Sequence, residues 1–481
     1  MGVVTGRPLP AWYDDAKLGV FVHWGLYSVP GWAPRGPDVQ TLLHDRGPTE
    51  MLRRIPYAEW YLNSMAIPGS PTWAHHRATY GADFAYDDFI PAFDVGSAAA
   101  DLDAIAGLAA AAGARYLVLT AKHADGFALW PSAAAHPRRG AYHARRDLVG
   151  GLATAVRARG LRMGLYYCGG YDWAYTGGAM RRGADLLLAI PTTREYERFA
   201  AAQVRELVAR YAPDILWGDV AWPVGAEIEA LIADYRAAVP DGVVNDRFAV
   251  IPGLEGRARR ALLRVAGRVV EALWSRLPDA RRRLVFPPSP LADFTTPEYD
   301  ATANPAGRWE MTRGVGHSFG ANRNEDPADI VCAAALTRCL CDVVARNGNL
   351  LIGVGPDAAG AIPAAQAAPL RGLGAWLRAN GEAIHGTRPW EIAATTTHDG
   401  TAVRFTRRGE VLYALLLSRP RTATVTIAGI DATSVREATH LASGTALARG
   451  ERAGALALTL PDVLHEDVLA VRLGAGVRRI G

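Results

Sequence analysis

The chain has 481 residues, half of them hydrophobic, with 52 Lys and Arg against 48 Asp and Glu. That length is too great for one small domain, and that apolar content builds a sizeable core, which excludes disorder as the state of the whole chain. The net charge of +4 is concentrated: residues 249–290 carry nine arginines against Glu255, Glu271 and Asp279, so the rest of the chain is slightly acidic and a nucleic-acid-binding surface spread over the fold is excluded.

The N-terminal stretch lacks the basic and then apolar segments of a secretory signal, and no run of about 18 apolar residues follows anywhere, so no membrane span is expected and the expected address is the cytoplasm. Cys168, Cys332, Cys339 and Cys341 form no CxxC pair and no zinc-like spacing with histidine, which fits free thiols in a reducing compartment.

In chain order, short apolar runs end in polar or aromatic residues: KLGVFVHWG (17–25), ARYLVLTAKHADGF (114–127), LRMGLYYCGG (161–170), DILWGDV (214–220), GVVNDRF (242–248) and NGNLLIGVGP (347–356). Near-continuous apolarity marks parallel strands covered on both faces. Ala-rich helical patterns lie between them at 101–112, 149–159, 194–211 and 226–238. Strand–helix alternation of this extent predicts a parallel α/β fold. His23, Lys122, His123, Tyr166, Asp219 and Arg247 all fall at C-terminal ends of the runs. Functional groups at the ends of at least five successive strands favour the closed ring of a (β/α)₈ barrel over a doubly wound sheet, where they cluster at one switch point. No GxGxxG or GxxxxGK[ST] follows a strand, so nucleotide binding has no support.

Residues 249–290 break the rhythm and read as an insertion. Leu262, Val265, Val269 and Leu273 fall at helical spacing with arginines on the other faces. The plain expectation is a solvated helix packed across the barrel rim; the sharper one is a docking face for an acidic partner or a membrane surface. After 381–391 the texture changes again: TAVRFTRRGEVLYALLLS, RTATVTIAG and EDVLAVRL alternate and are rich in Val, Thr and Leu. The expected organisation is a catalytic barrel over 1–388, carrying the insertion, and an all-β sandwich over 389–481.

Asp219 stands out. It closes an apolar strand, between Gly218 and Val220, where a charge costs several kcal/mol unless paired, which favours a site residue at the catalytic face. DFTTPEY offers a second carboxylate, Asp293 or Glu298, the latter flanked by Pro297 and Tyr299. An apolar setting raises a glutamate pKa, as a general acid needs. His23 and Trp24, then Glu59, Trp60 and Tyr61, then Lys122, His123, Asp125 and Phe127, set aromatics beside hydrogen-bonding groups, as sugar binding requires. His23 and His123 show no HxH spacing, so neither a metal nor a cofactor is expected.

These stretches, with WYDDAKLGVFVHWGLYSVPGWAP, SPTWAHH, RRDLVGGL, WEMTRGVGHSFGANRNE and the others in the same order, resemble family 29 glycoside hydrolases, the α-L-fucosidases, over roughly residues 9–390. The resemblance implies a barrel followed by a β-sandwich and retaining exo-hydrolysis of terminal α-L-fucosides through a covalent glycosyl-enzyme. It makes Asp219, from the LWGD motif, the nucleophile and Glu298, from TPEY, the acid/base. It matches His23, Glu59, Trp60, His123, Tyr166, Trp217, Arg247 and Phe319 to a pocket that holds the sugar hydroxyls and covers the C6 methyl of fucose. The implied partner is a small fucosylated carbohydrate; a homo-oligomer is compatible with the sequence. Two departures matter. The family commonly reads KHHDGF where this chain has Ala124, and the insertion between Arg247 and Glu298 is long. The first bears on the strictness for fucose and keeps open a hydrolase of a related sugar with fucose-like hydroxyl geometry; a carbohydrate-binding protein without turnover is a separate alternative, which the retention of both carboxylates opposes. The second bears on the aglycone side.

Overall fold

The computed structural model describes residues 7–282, 286–300, 307–461 and 466–480. Seven strands form one all-parallel sheet: β1 (Leu18–Val22), β2 (Tyr116–Lys122), β3 (Arg162–Cys168), β4 (Ile215–Asp219), β5 (Val243–Val244), β6 (Trp309–Gly314) and β7 (Gly348–Val354). They pair in the order β5-β4-β3-β2-β1-β7-β6. An eighth, irregular stave closes the ring. Asn245 bridges to Phe294, Thr295 to Trp309 and Glu298 to Thr312, all in parallel sense, and the backbone N–H groups of Asp293, Glu310 and Thr312 donate to Val244, Thr295 and Pro297. The sheet is therefore a barrel whose last stave, 293–299, is held by a few bridges.

The strands are buried along nearly their whole length because they alternate between two cores. On β2, Tyr116 and Val118 point into the barrel with Phe21, Tyr166, Trp217 and Phe294. Leu117 and Leu119 point outward, to a layer shared with Leu152, Val204 and Leu370 of the surrounding helices. This explains why the runs read as continuously apolar. The helices start where a side chain can satisfy an orphan N–H: Asp101 accepts from Ala104 N, Asp147 from Gly150 N and Thr193 from Tyr196 N, each cap contributing about 1 kcal/mol. None of the described helices is long and apolar enough to cross a membrane.

The C-terminal region packs a six-stranded sheet on a three-stranded one. The larger sheet joins β8 (Arg388–Thr396), β9 (Ala402–Arg408), β10 (Val411–Leu416), β12 (Thr439–His440), β13 (Thr445–Ala446) and β16 (Leu469–Ala475). The smaller joins β11 (Thr424–Ile427), β14 (Ala448–Arg452) and β15 (Ala455–Thr459). All recorded pairings in both are antiparallel. On β10, Leu412, Ala414 and Leu416 face the sandwich core. The alternate residues, Tyr413 and Leu415, join the core of the barrel's helical layer. The larger sheet is thus buried on both faces and fixes the sandwich to the barrel.

The insertion forms the predicted helix, Arg257–Ala272, with its apolar stripe facing out. Leu262, Val265 and Val269 are 66%, 57% and 53% exposed. The helix meets the body through Leu263, which packs on the barrel-side core, and through Gly267, where a Cβ would lie 2.6 Å from that of Ala184. Arg260 anchors it by donating to the carbonyl of Leu188 at 2.6 Å. The close approach allowed by Gly267 decides the orientation, and the apolar stripe is left outside.

Candidate active site

A cavity of about 1080 Å³ opens at the C-terminal ends of the barrel strands. Its floor and walls include His23, Glu59, Trp60, His123, Tyr166, Trp217, Asp219, Arg247, Glu298 and Phe319, so the ten residues singled out in the sequence come together at one place.

β4 delivers Asp219. Cys168 is its register partner on β3, and Tyr166 lies opposite Trp217. The hydroxyl of Tyr166 donates to Oδ2 of Asp219 at 2.7 Å; Arg247 Nη1 and the Val220 backbone N–H each donate to Oδ1 at 2.8 Å. Gly218 lets the chain pass under Phe248, whose ring a Cβ would approach to 2.5 Å. The eighth stave delivers Glu298, whose Oε1 accepts from the same Arg247 Nη1 at 2.8 Å. Its Oε2 lies 3.4 Å from the Tyr57 hydroxyl.

Arg247 is the centre of this arrangement. Its Nε donates to Thr296 Oγ1 at 2.9 Å and its Nη2 to the Thr296 carbonyl at 2.8 Å, which leaves Nη1 for both carboxylates. Its guanidinium also lies 5.1 Å over the Trp217 ring. Burial disfavours its charged form, but Glu298, Asp219 and Asp246 outweigh this and raise its pKa further, so it stays protonated.

Both carboxylates are followed by a strained residue. Val220 has φ of 67° and Tyr299 of 54°, the left-handed region that side chains with a Cβ avoid. For a β-branched valine the cost is on the order of 1–2 kcal/mol. Tyr299 is held by its own backbone N–H to Thr312 O at 3.0 Å and by the Gly314 N–H donating to its hydroxyl at 3.2 Å. Val220 is held by its bond to Asp219 itself.

An aromatic wall backs the site. His123 stacks on Tyr166 with centroids 5.4 Å apart, and Tyr166 on Trp217 at 5.5 Å. His23 lies 4.8 Å from Phe319. Burial, reinforced by His123, pushes His23 well below the usual imidazole range, and burial lowers His123 to about 4. Each keeps a buried Nδ1 without a partner among the described residues, and neutral rings of this kind are suited to hydrogen-bond a neutral hydroxyl. Glu59 accepts from the Gly320 N–H at 2.9 Å and from Ser318 Oγ at 3.2 Å, and burial raises it to about 7.

Other polar residues noticed in the sequence lie elsewhere. Lys122 is fully buried against Asp172 at 2.9 Å, and Asp125 accepts from the Tyr86 hydroxyl at 2.8 Å. Asp293, the competitor to Glu298, accepts from the Val244 N–H at 2.9 Å and from Arg236 at 3.2 Å. It closes the barrel. Ala124 is buried in the barrel-side core and does not line the cavity. The insertion does reach it: Asp279, Arg282 and Phe286 form part of the outer wall.

Three contributors were not identified from the sequence. Tyr57 meets Glu298, Thr296 fixes Arg247, and Glu310 supports Trp217. The Trp217 indole N–H donates to Glu310 at 3.0 Å, and the Tyr13 and Tyr116 hydroxyls donate to the same carboxyl. Burial raises Glu310 to about 7. Its place inside the quoted WEMTRG stretch was the available signal.

A family model described as alpha-L-fucosidase matches residues 3–382. Among curated proteins, an alpha-L-fucosidase of Dictyostelium discoideum is 30% identical over 407 residues, which is 82% of this chain and 75% of that protein. Tissue alpha-L-fucosidase of Bos taurus is 29% identical over 450 residues, 91% of this chain and 81% of that one. Among solved structures, a Thermotoga maritima alpha-fucosidase in complex with a mechanism-based inhibitor aligns with a TM-score of 0.79 at 37% identity over 96% of both chains. With a family match over most of its length and a barrel whose strand ends converge on one carboxylate-lined cavity, the chain belongs to the α-L-fucosidase family of glycoside hydrolases.

Proposed function

We propose that the chain is a retaining exo-α-L-fucosidase that cleaves terminal α-L-fucosides by double displacement, with Asp219 as nucleophile and Glu298 as acid/base. The observation that carries this reading is the shared guanidinium nitrogen, 2.8 Å from an oxygen of each carboxylate. Those two oxygens are therefore separated by at most twice that distance. Retaining glycosidases hold their carboxyl groups about 5–5.5 Å apart, whereas inverting enzymes need about 6.5–9.5 Å to admit a water.

In the first step Asp219 attacks the anomeric carbon while Glu298 gives its proton to the departing glycosidic oxygen. The glycosyl ester forms as the aglycone leaves. In the second, Glu298 takes a proton from water, the hydroxide adds to the same carbon, and Asp219 departs as carboxylate. Tyr166 and Arg247 stabilise Asp219 as an anion before attack and as a leaving group afterwards. Seating the sugar between the carboxylates exchanges the Arg247–Glu298 bond for contacts to substrate. Glu59, His23, His123 and Trp60 supply hydrogen-bonding groups for the hydroxyls, and Phe319 supplies apolar surface for the C6 methyl.

The test is hydrolysis of 4-nitrophenyl α-L-fucoside. Wild type releases nitrophenol and NMR shows α-fucose as first product. Asp219→Ala loses at least about 10³-fold in kcat, and azide restores turnover as β-fucosyl azide. A β-fucose first product, or an Asp219→Ala variant of full activity, refutes the assignment. A parallel panel of α-L-galactosides and related glycosides tests whether Ala124 accompanies a broader sugar preference.

A further inference from the structure

A second cavity, of about 350 Å³, lies beside the first. One helical turn, Asp185–Leu188, separates them: Leu186 lines the larger cavity, Asp185 and Leu188 the smaller. A helix with side chains is about 10–12 Å across, a distance that a di- or trisaccharide spans.

The charge of this second cavity is one-sided. Arg138, Arg260 and Arg264 all line it, with the hydroxyl residues Tyr175, Thr192 and Thr193. None of the three arginines has a carboxylate partner among the described residues. Arg138 is held over the Tyr175 ring at 4.7 Å, and Arg260 is tethered to the Leu188 carbonyl. Burial, and then the neighbouring Arg264, lower the pKa of Arg260, the effect of like charges held close without a counter-ion. Asp185 is the acidic residue of the lining, and one of its oxygens is engaged by the backbone N–H groups of Arg181 and Arg182 at 2.8 and 2.9 Å. Other arginines of this chain are neutralised, as Arg159 is by Asp103 and Arg210 by Asp147. Here three guanidinium groups face one concavity large enough for a sugar ring or its substituent.

We propose that this second cavity is a subsite for an oxyanion, a carboxylate or a sulfate ester, carried by the substrate beyond the fucose. The inference rests on the fucosidase reading of the main cavity. The planar guanidinium matches carboxylate and sulfate oxygens through paired N–H donors, and two of the three groups are contributed by the insertion. The insertion therefore gives this enzyme a preference for acidic fucosylated glycans that the barrel alone does not encode.

The experiment compares kcat/KM for three fucosylated oligosaccharides that differ only in the outer sugar: neutral, carboxylate-bearing and sulfated. Wild type is expected to favour at least one acidic form by about tenfold, and the preference should shrink as sodium chloride is added. Which acidic form is favoured identifies the oxyanion. The double variant Arg138→Ala/Arg264→Ala is expected to lose the preference while keeping wild-type rates on the neutral oligosaccharide and on 4-nitrophenyl fucoside. Both side chains are exposed, and neither touches the catalytic residues. Equal rates on all three substrates, or a preference that survives the double variant, overturns the subsite. Wild-type inertness toward 4-nitrophenyl fucoside would instead remove the fucosidase reading, and the subsite with it.

Discussion

Two clusters of charge sit at the strand ends of the same barrel, and they are built on opposite plans. Around Asp172, one carboxylate receives two basic groups: Lys122 Nζ at 2.9 Å and His136 Nε2 at 3.2 Å, with the Tyr175 N–H adding a third donor at 2.9 Å. Burial alone would raise the Asp172 pKa, but Lys122 and His136 more than offset it and the carboxyl is lowered. Lys122, His136 and Asp172 line neither of the two cavities. Around Arg247 the ratio is inverted, with one cation serving two carboxylates, each about a fifth exposed. The first cluster has surplus donors and is closed. The second has surplus acceptor capacity, turned toward a space that a sugar can fill. Donor surplus makes a structural knot; acceptor surplus beside a cavity leaves work for a substrate.

Three experiments press on that contrast. The largest effect belongs to Arg247→Ala, which removes the shared cation: kcat/KM on 4-nitrophenyl fucoside should fall by about 10²–10³, with Arg247→Lys recovering little because an ammonium cannot hold Thr296 and both carboxylates at once. A loss below fivefold would mean the guanidinium is packing rather than chemistry. Next comes Lys122→Met, which leaves buried Asp172 with His136 as its remaining basic partner. Urea denaturation should register a loss of about 3–5 kcal/mol, while the paired replacement Lys122→Met/Asp172→Asn costs less. KM for the folded enzyme should hardly move, and a large change in it would erase the distinction between the clusters. The smallest effect is at Val220. Val220→Gly relieves the left-handed strain, for a net gain of up to about 1 kcal/mol after the added freedom of the unfolded chain, and should lower kcat about threefold by loosening the aim of Asp219. Unchanged kcat with raised stability would show that the strain is incidental.

The same contrast explains what could be read in advance. Lys122 and Asp219 look alike in one dimension, each a charge at the end of an apolar strand. What separates them is Asp172, 50 positions from Lys122, and Arg247, 28 positions from Asp219. The parallel barrel was legible because strands buried on both faces write unbroken apolar runs. The eighth stave was not, because 293–299 is held by isolated bridges and carries the turn-like TTPE. Glu310 and Tyr57 were missed for a related reason: their partners, Trp217 and Glu298, are 93 and 241 positions away. In the insertion, period 3.6 was written plainly and the helix formed. Its outward face was set by Gly267 against Ala184, a contact that no periodicity reports.

The insertion leaves the barrel after Arg247 and returns before Glu298, and its two roots are stitched together. Thr296 donates to Asp246 through both its N–H, at 3.1 Å, and its hydroxyl, at 2.7 Å, while the Ser289 N–H donates to the Asp246 carbonyl at 2.8 Å. A segment clasped at its base can be lengthened, shortened or exchanged at little cost in loop-closure entropy. Evolution, or a protein engineer grafting loops from one relative to another, can thus rewrite what lies across the mouth of the enzyme while the two carboxylates at the strand ends keep their positions.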